Sequence, residues 1–216
     1  MEVGIIGGTG PAGRGLAVRL SATGIGVVIG SRDAGRASEV VAETLGAWPD
    51  RDLPITGADN AGAAAADVVV VATPWDSASV TVKPLREALA GKVVISMVIA
   101  LLKEGREMLP LFVPRGSMAA DIQATLPDSK VAASFHHLPA SEMLDLDATL
   151  DADVLACSDH QDATDATLAL IAAIDGLTPY DAGSLAQAAA IEAFTATFIT
   201  INIRHRAHTT LRLSGI

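Results

Sequence analysis

The chain has 216 residues, half of them apolar and 19% charged, enough to bury a core and at odds with disorder. Fifteen Lys and Arg against 25 Asp and Glu give a formal charge of −10, which argues against nucleic acid as a partner. The single cysteine, Cys157, permits no internal disulfide and reads as a small buried residue.

In chain order, Val3-Gly4-Ile5-Ile6-Gly7 is a β-branched run that predicts a strand, and a glycine-rich turn then opens a helix over 11–20. With a strand starting at Glu2 or Val3 there is no room for a cleavable leader, so the expected location is the cytoplasm. A second strand is predicted at 26–30 and a helix at 34–45. Residues 67–73 are apolar without alternation, as in a central parallel strand covered on both faces. A connecting helix at 84–89 and a strand at 92–96 continue the alternation. Strands at 131–135 and 154–157, a helix at 163–174 and a long helix at 186–203 complete it.

The expected fold is therefore α/β, a Rossmann-type doubly wound parallel sheet with a smaller C-terminal α/β part ending in a long buried helix. Residues 1–133 would form the nucleotide-binding domain and 134–216 a small domain that makes a second cleft. The apolar stretch 188–203 contains Glu192 and Asn202 and falls short of the roughly 20 apolar residues that span a bilayer, so no membrane is expected. It is apolar nearly all round, so its own chain or a second copy must cover it; a homodimer is the expectation.

Gly8-Thr9-Gly10-Pro11-Ala12-Gly13 follows a strand and opens a helix, the context in which G-x-G-x-x-G binds a dinucleotide. Gly8 would permit the turn, Gly10 the approach of a pyrophosphate, and Gly13 the packing of helix on strand. Where NAD enzymes place a carboxylate after the second strand, this chain has Gly30-Ser31-Arg32. A hydroxyl and a guanidinium bind a 2′-phosphate, and Arg36 lies one turn further on, so NADP is the expected coenzyme. No nucleophile elbow, P-loop or zinc-helix motif occurs. Adjacent His136 and His137 point to opposite faces of a strand, with no cysteine or carboxylate at ligand spacing, so no metal is expected.

Together with Ile55-Thr56-Gly57, Thr73-Pro74-Trp75, His136-His137-Leu138-Pro139, Ile174-Asp175-Gly176-Leu177 and Asp181-Ala182-Gly183, these segments make the sequence resemble the F420-dependent NADP oxidoreductases over essentially its whole length. That resemblance implies hydride transfer between NADP(H) and the 5-deazaflavin coenzyme F420. It implies NADP contacts from Gly8 to Gly13, Ser31, Arg32, Arg36, Thr73, Pro74, Ser96, Val98, Ile99 and Ala140. It also implies a deazaflavin cleft lined by His136, His137, Leu138 and Pro139 and closed near Leu211, with His136 as the candidate catalytic residue. His137 stands where the family carries a small polar residue. The residues by themselves leave open a reductase of a small imine, ketone or flavin, and a non-catalytic NADPH-binding sensor.

Overall fold

A computed structural model describes residues 1–216. The chain begins β1 (Glu2–Ile6), α1 (Pro11–Ala22), β2 (Gly26–Ser31), α2 (Ala34–Gly46), β3 (Ile55–Asp59), α3 (Asn60–Ala64) and β4 (Val68–Val71). It continues through α4 (Ala78–Val82), α5 (Arg86–Leu89), β5 (Val93–Ser96), β6 (Leu101–Glu104), β7 (Glu107–Pro110), α6 (Met118–Thr125) and β8 (Lys130–Ala133). The last elements are α7 (Ala140–Leu144), β9 (Ala152–Ser158), α8 (Gln161–Ala173), β10 (Leu177–Asp181) and α9 (Ala188–His205).

Eight strands form one sheet in the order β10-β9-β8-β5-β4-β1-β2-β3, and β6 and β7 form a separate antiparallel hairpin. The strand order turns back between β1 and β4, which opens a crevice at their carboxyl ends, the usual ligand site of such sheets. Both faces are covered. In β4, Val68 and Val70 enter one core layer with Leu16, Ile29 and Ile171, while Val69 and Val71 enter the other with Ile6, Val94 and Ile122. This period-2 division of an unbroken valine run is what a sheet buried on both sides requires.

The sheet is not wholly parallel, contrary to the expectation from strand and helix alternation. β9 runs antiparallel to β8, with Ala132 opposite Ser158 and Ala133 opposite Cys157, and β10 runs parallel to β9. The physical reason lies in the connection: its one helix, α7, packs on α1 rather than crossing over the sheet beside β8. Ser158 and Ser134 tie the reversed junction by donating to the carbonyls of Val131 (2.6 Å) and Leu155 (2.9 Å).

Other elements differ locally. The helix expected at 84–89 is a 3-10 turn, Lys83–Leu85, followed by the short α5. The strand expected at 131–135 stops at Ala133, since Phe135 takes the left-handed conformation with φ 64°. The C-terminal helix is present, but its burial is partial. Ala188, Ile191, Glu192, Thr195 and Ala196 are buried, whereas Phe194 is 53% and Ile201 38% exposed. With its leading 3-10 turn the helical segment Leu185–His205 has 21 residues and contains an 18-residue window of mean hydropathy 1.2, long and apolar enough by length and composition to cross a membrane.

Two cations anchor short helices through backbone carbonyls. Lys92 Nζ donates to the carbonyls of Ala64, Ala65 and Ala66 at the end of α3 (2.8 to 2.9 Å). Arg19, only 8% exposed, donates to the carbonyls of Met143 (3.2 Å), Glu142 (2.7 Å), Asp145 (2.5 Å) and Ala148 (2.9 Å), fixing α7 to α1. A buried guanidinium is tolerated because several carbonyl dipoles satisfy it.

Candidate active site

The loop between β1 and α1 is shaped by its glycines. Gly7, not Gly8, supplies the left-handed turn: its φ is +69°, and a Cβ there would come within 2.5 Å of Thr73 Cγ2. The Gly8 amide donates to the carbonyls of Ile5 (3.1 Å) and Gly30 (2.9 Å), which presses the loop onto β1 and β2. A Cβ on Gly13 would lie 2.7 Å from Gly8 Cα, so that pair permits the helix to start directly against the turn. Gly10 is different. A Cβ there would meet nothing within 4 Å, so its open face looks into space rather than into protein.

Pro11 begins α1, and Gly10 caps it without a side-chain hydrogen bond. The first amides of the helix therefore have no internal acceptor, the arrangement that binds an anion at a helix N-terminus. A cavity of about 540 Å³ lies above them, lined by Thr9, Gly10, Pro11, Ala12, Gly13, Ser31, Arg32, Arg36, Thr73 and Pro74 among the residues expected from the sequence. Asn60 and Ser77 also line it, and nothing in the sequence pattern singled them out. Asn60 Oδ1 accepts from the Gly7 amide at 3.1 Å, so α3 braces the turn from beneath.

At the far end of this cavity Asp33 is the cap of α2, accepting from the Arg36 amide at 3.0 Å. Its carboxylate is thus directed at the helix start. Arg36 pairs with Glu39 on the exposed surface at 3.2 Å, whereas Arg32 makes no ion pair. At the other end Thr73 is buried, yet its Oγ1 has no hydrogen-bond partner. A free guanidinium, uncapped helix amides, an open Gly10 and an orphan hydroxyl fit a long ligand carrying phosphates and hydrogen-bonding groups.

Beside it is a second cavity of about 390 Å³, lined by Ile99, His136, His137, Leu138, Pro139 and Ala140, and on the α9 side by Phe198 and Asn202. Ala12, at the start of α1, borders both cavities, which makes them neighbours across one residue. His136 is 5% exposed and neither ring nitrogen has a partner. Burial, and secondarily His137, push its pKa down to about 3, so the ring stays neutral. His137 pairs with the Asp153 carbonyl at 2.8 Å and stacks on Phe198 with ring centroids 6.0 Å apart. The left-handed Phe135 turns the chain out of β8, so these two rings meet the cleft instead of alternating across a strand.

Several of the expected residues do not line the cavity expected of them. Ser96 and Val98 are buried at the end of β5 and line neither cavity; the Ser96 Oγ accepts from the Val98 amide at 3.4 Å. Gly8 lies behind the loop. Ile99 and Ala140, expected beside the coenzyme, line the second cavity. Leu211 lines neither, its carbonyl accepting from the Asp153 amide at 2.8 Å. The tail residue that does line the second cavity is His208.

Residues 2–100 match the family described as NADP oxidoreductase, coenzyme F420-dependent. The F420-dependent NADP reductase of Methanothermobacter marburgensis is 36% identical over 221 residues, covering 100% of this chain and 97% of that protein. The enzyme of the same description from Methanocaldococcus jannaschii is 34% identical over 222 residues, covering 100% and 99%. The fold matches a crystal structure from Arthrobacter sp. FB24 over the full length of both chains, with TM-score 0.84 and 24% identity. A hypothetical protein from Sinorhizobium meliloti matches with TM-score 0.73 and 27% identity, over 90% of each chain. The chain belongs to the family of F420-dependent NADP reductases.

Proposed function

We propose that the protein transfers hydride between NADP(H) in the first cavity and coenzyme F420 in the second. The observation that carries this reading is the meeting of the two cavities at Ala12. Direct hydride transfer needs donor and acceptor carbons roughly 3 to 3.5 Å apart with their rings stacked, so adjacent binding sites are the main requirement. In this reading the amides from Thr9 to Gly13 hold the pyrophosphate, and Ser31, Arg32 and Arg36 hold the 2′-phosphate. Thr73 and Pro74 flank the nicotinamide end. Ser96 and Val98 support that end from below, and Ile99 and Ala140 separate it from the acceptor.

His136, Leu138 and Pro139 form the floor of the F420 cleft, and His137 forms its wall against Phe198. A neutral His136 ring can orient a hydrogen bond toward charge that develops on the acceptor, and its unpartnered nitrogens leave it free to do so. Replacing His136 by alanine is expected to slow single-turnover hydride transfer by about tenfold or more, with NADPH affinity changed by less than about threefold. An unchanged single-turnover rate would remove His136 from the mechanism.

The functional boundary falls near residue 133, with 1–133 serving the nucleotide and 134–216 the acceptor, although β9 and β10 extend the same sheet. Phe194 and Ile201, seven residues apart on α9, are exposed on one side of the helix, apolar side chains suited to a second copy, so we assign a homodimer through this helix. A bilayer is the poorer partner: Glu192 on this helix is buried and accepts from the amides of Met118 (2.8 Å) and Ala119 (3.0 Å) within the protein. The working compartment is the cytoplasm, where a pool of NADP(H) is available.

A further inference from the structure

Hydride transfer alone does not complete the reduction. The balanced reaction is NADPH + H⁺ + F420 → NADP⁺ + F420H2: the hydride brings two electrons to a ring carbon, and the negative charge that follows must be met by a separate proton. This inference rests on the assignment of F420 to the second cavity.

Three imidazoles line that cavity: His136, His137 and His208. His136 is buried and held neutral, and the ring of His137 is engaged by the Asp153 carbonyl and Phe198. His208 has a different setting. Its side chain is 55% exposed, and Nδ1 lies 3.2 Å from Glu142 Oε1 in α7. Nε2 makes only a long contact of 3.5 Å with Ser141 Oγ, leaving that nitrogen able to turn toward a ligand.

We propose that His208, oriented by Glu142, delivers the proton that balances hydride arrival on the acceptor, and takes it back in the reverse reaction. The Nε2–H bond of the imidazolium breaks toward the acceptor's nitrogen and carbonyl edge. The neutral ring then regains a proton from solvent at its exposed side. The Glu142 carboxylate beside Nδ1 fixes which nitrogen of the ring faces the substrate.

Both partners are held in place. The tail bearing His208 is pinned by the Thr209 amide to Asn202 Oδ1 (2.8 Å), Thr210 Oγ1 to the Asp151 carbonyl (2.9 Å) and the Leu213 amide to Asp153 Oδ2 (2.5 Å). Glu142 is fixed through its carbonyl, which accepts from Arg19 at 2.7 Å. The charged groups on the elements around His208 are Glu142 and, past the end of α7, Asp145; Arg204 and His205 at the end of α9, with Arg106 and Glu107 of the hairpin against them; Arg206 and Arg212 in the tail; and Asp151 and Asp153. Glu142 is the carboxylate paired to the ring.

The test is the pH dependence of NADPH-driven F420 reduction in wild type, His208→Gln and Glu142→Gln, with NADPH binding measured in each to verify the fold. The wild type should lose rate as pH rises, as general-acid catalysis requires. His208→Gln should be about ten- to a hundredfold slower, lack that limb, and be partly restored by added imidazole. Glu142→Gln, which loosens the ring's orientation, should lower kcat with little change in the KM for F420. An active wild type whose rate and pH profile survive His208→Gln overturns this assignment alone, as does a variant that raises only the KM for F420. A wild type that binds NADPH but never reduces F420 overturns the F420 reading, and this proposal with it.

Discussion

Replacing Arg32 and Arg36 together by glutamine is expected to weaken NADPH binding by roughly a hundredfold while changing NADH affinity by less than about threefold. Each charge-assisted bond to a phosphate contributes about 1.5 to 3 kcal/mol, and a loss of about 1.4 kcal/mol is a factor of ten. The dominant share should fall to Arg32, because it makes no ion pair while Arg36 must leave Glu39 to reach a ligand. The two single variants, titrated with both coenzymes, separate these shares. Stability should hardly change, since both side chains lie on the exposed surface where ion pairs contribute little. Equal losses for NADPH and NADH would place the 2′-phosphate elsewhere.

The second large effect is structural at origin and functional in outcome. Arg19→Met keeps the apolar stem but strips four carbonyls of their donor, and should destabilise the fold by about 3 to 5 kcal/mol. For a chain of this size that corresponds to a fall in Tm of roughly 6 to 20 °C. Burial draws the guanidinium's pKa down while Asp145 and Glu142 oppose the shift, so the charge is kept by its surroundings. In the molecules that remain folded, α7 loses its anchor to α1, and α7 carries Ala140, Ser141 and Glu142 at the edge of the second cavity. The KM for F420 should therefore rise several-fold more than that for NADPH, measured well below the new Tm. Equal changes in both would mean that α7 does not shape the acceptor cleft.

The parts of the fold legible in the sequence are those whose burial follows a local period. β1, β2, β4 and β5 are runs of valine and isoleucine covered on both faces, and α1, α2 and α8 pack on the sheet, so each could be read from its own residues. β3 escaped because Ile55 is its one buried residue, and β10 because Pro179 interrupts it, which an edge strand tolerates. The β6–β7 hairpin has no alternating pattern. It is held from outside, by Thr200 Oγ1 accepting from the Met108 amide at 2.9 Å and by the Arg204–Glu107 pair. The reversal at β9 depends on where α7 packs, a contact more than 100 residues away along the chain from its partner Arg19.

The site divides along the same line. The first cavity is built largely from two short stretches, Gly7 to Gly13 and Ser31 to Arg36, the kind of turn and helix start that binds anions through its own backbone. Asn60 supports that turn across 53 residues and had no local signal. In the second cavity, His136 and His137 could be named from sequence, but their surroundings could not. The difference between an unpartnered neutral ring and one engaged by Asp153 and Phe198 arises only when β8, β9 and α9 are assembled. His208 reaches the cleft through the tail's attachments to α9 and β9, and those involve Asn202, Asp151 and Asp153, none of them adjacent in sequence.

The most direct measurement mixes the purified protein with NADPH and F420 and follows the visible absorbance of the oxidised deazaflavin. Hydride transfer between the two cavities predicts rapid bleaching with NADPH, reversal when reduced F420 meets NADP, and far slower bleaching with NADH at the same concentration. No bleaching with NADPH, together with NADPH oxidation by small imines, ketones or flavins, would contradict the assignment of F420 to the second cavity.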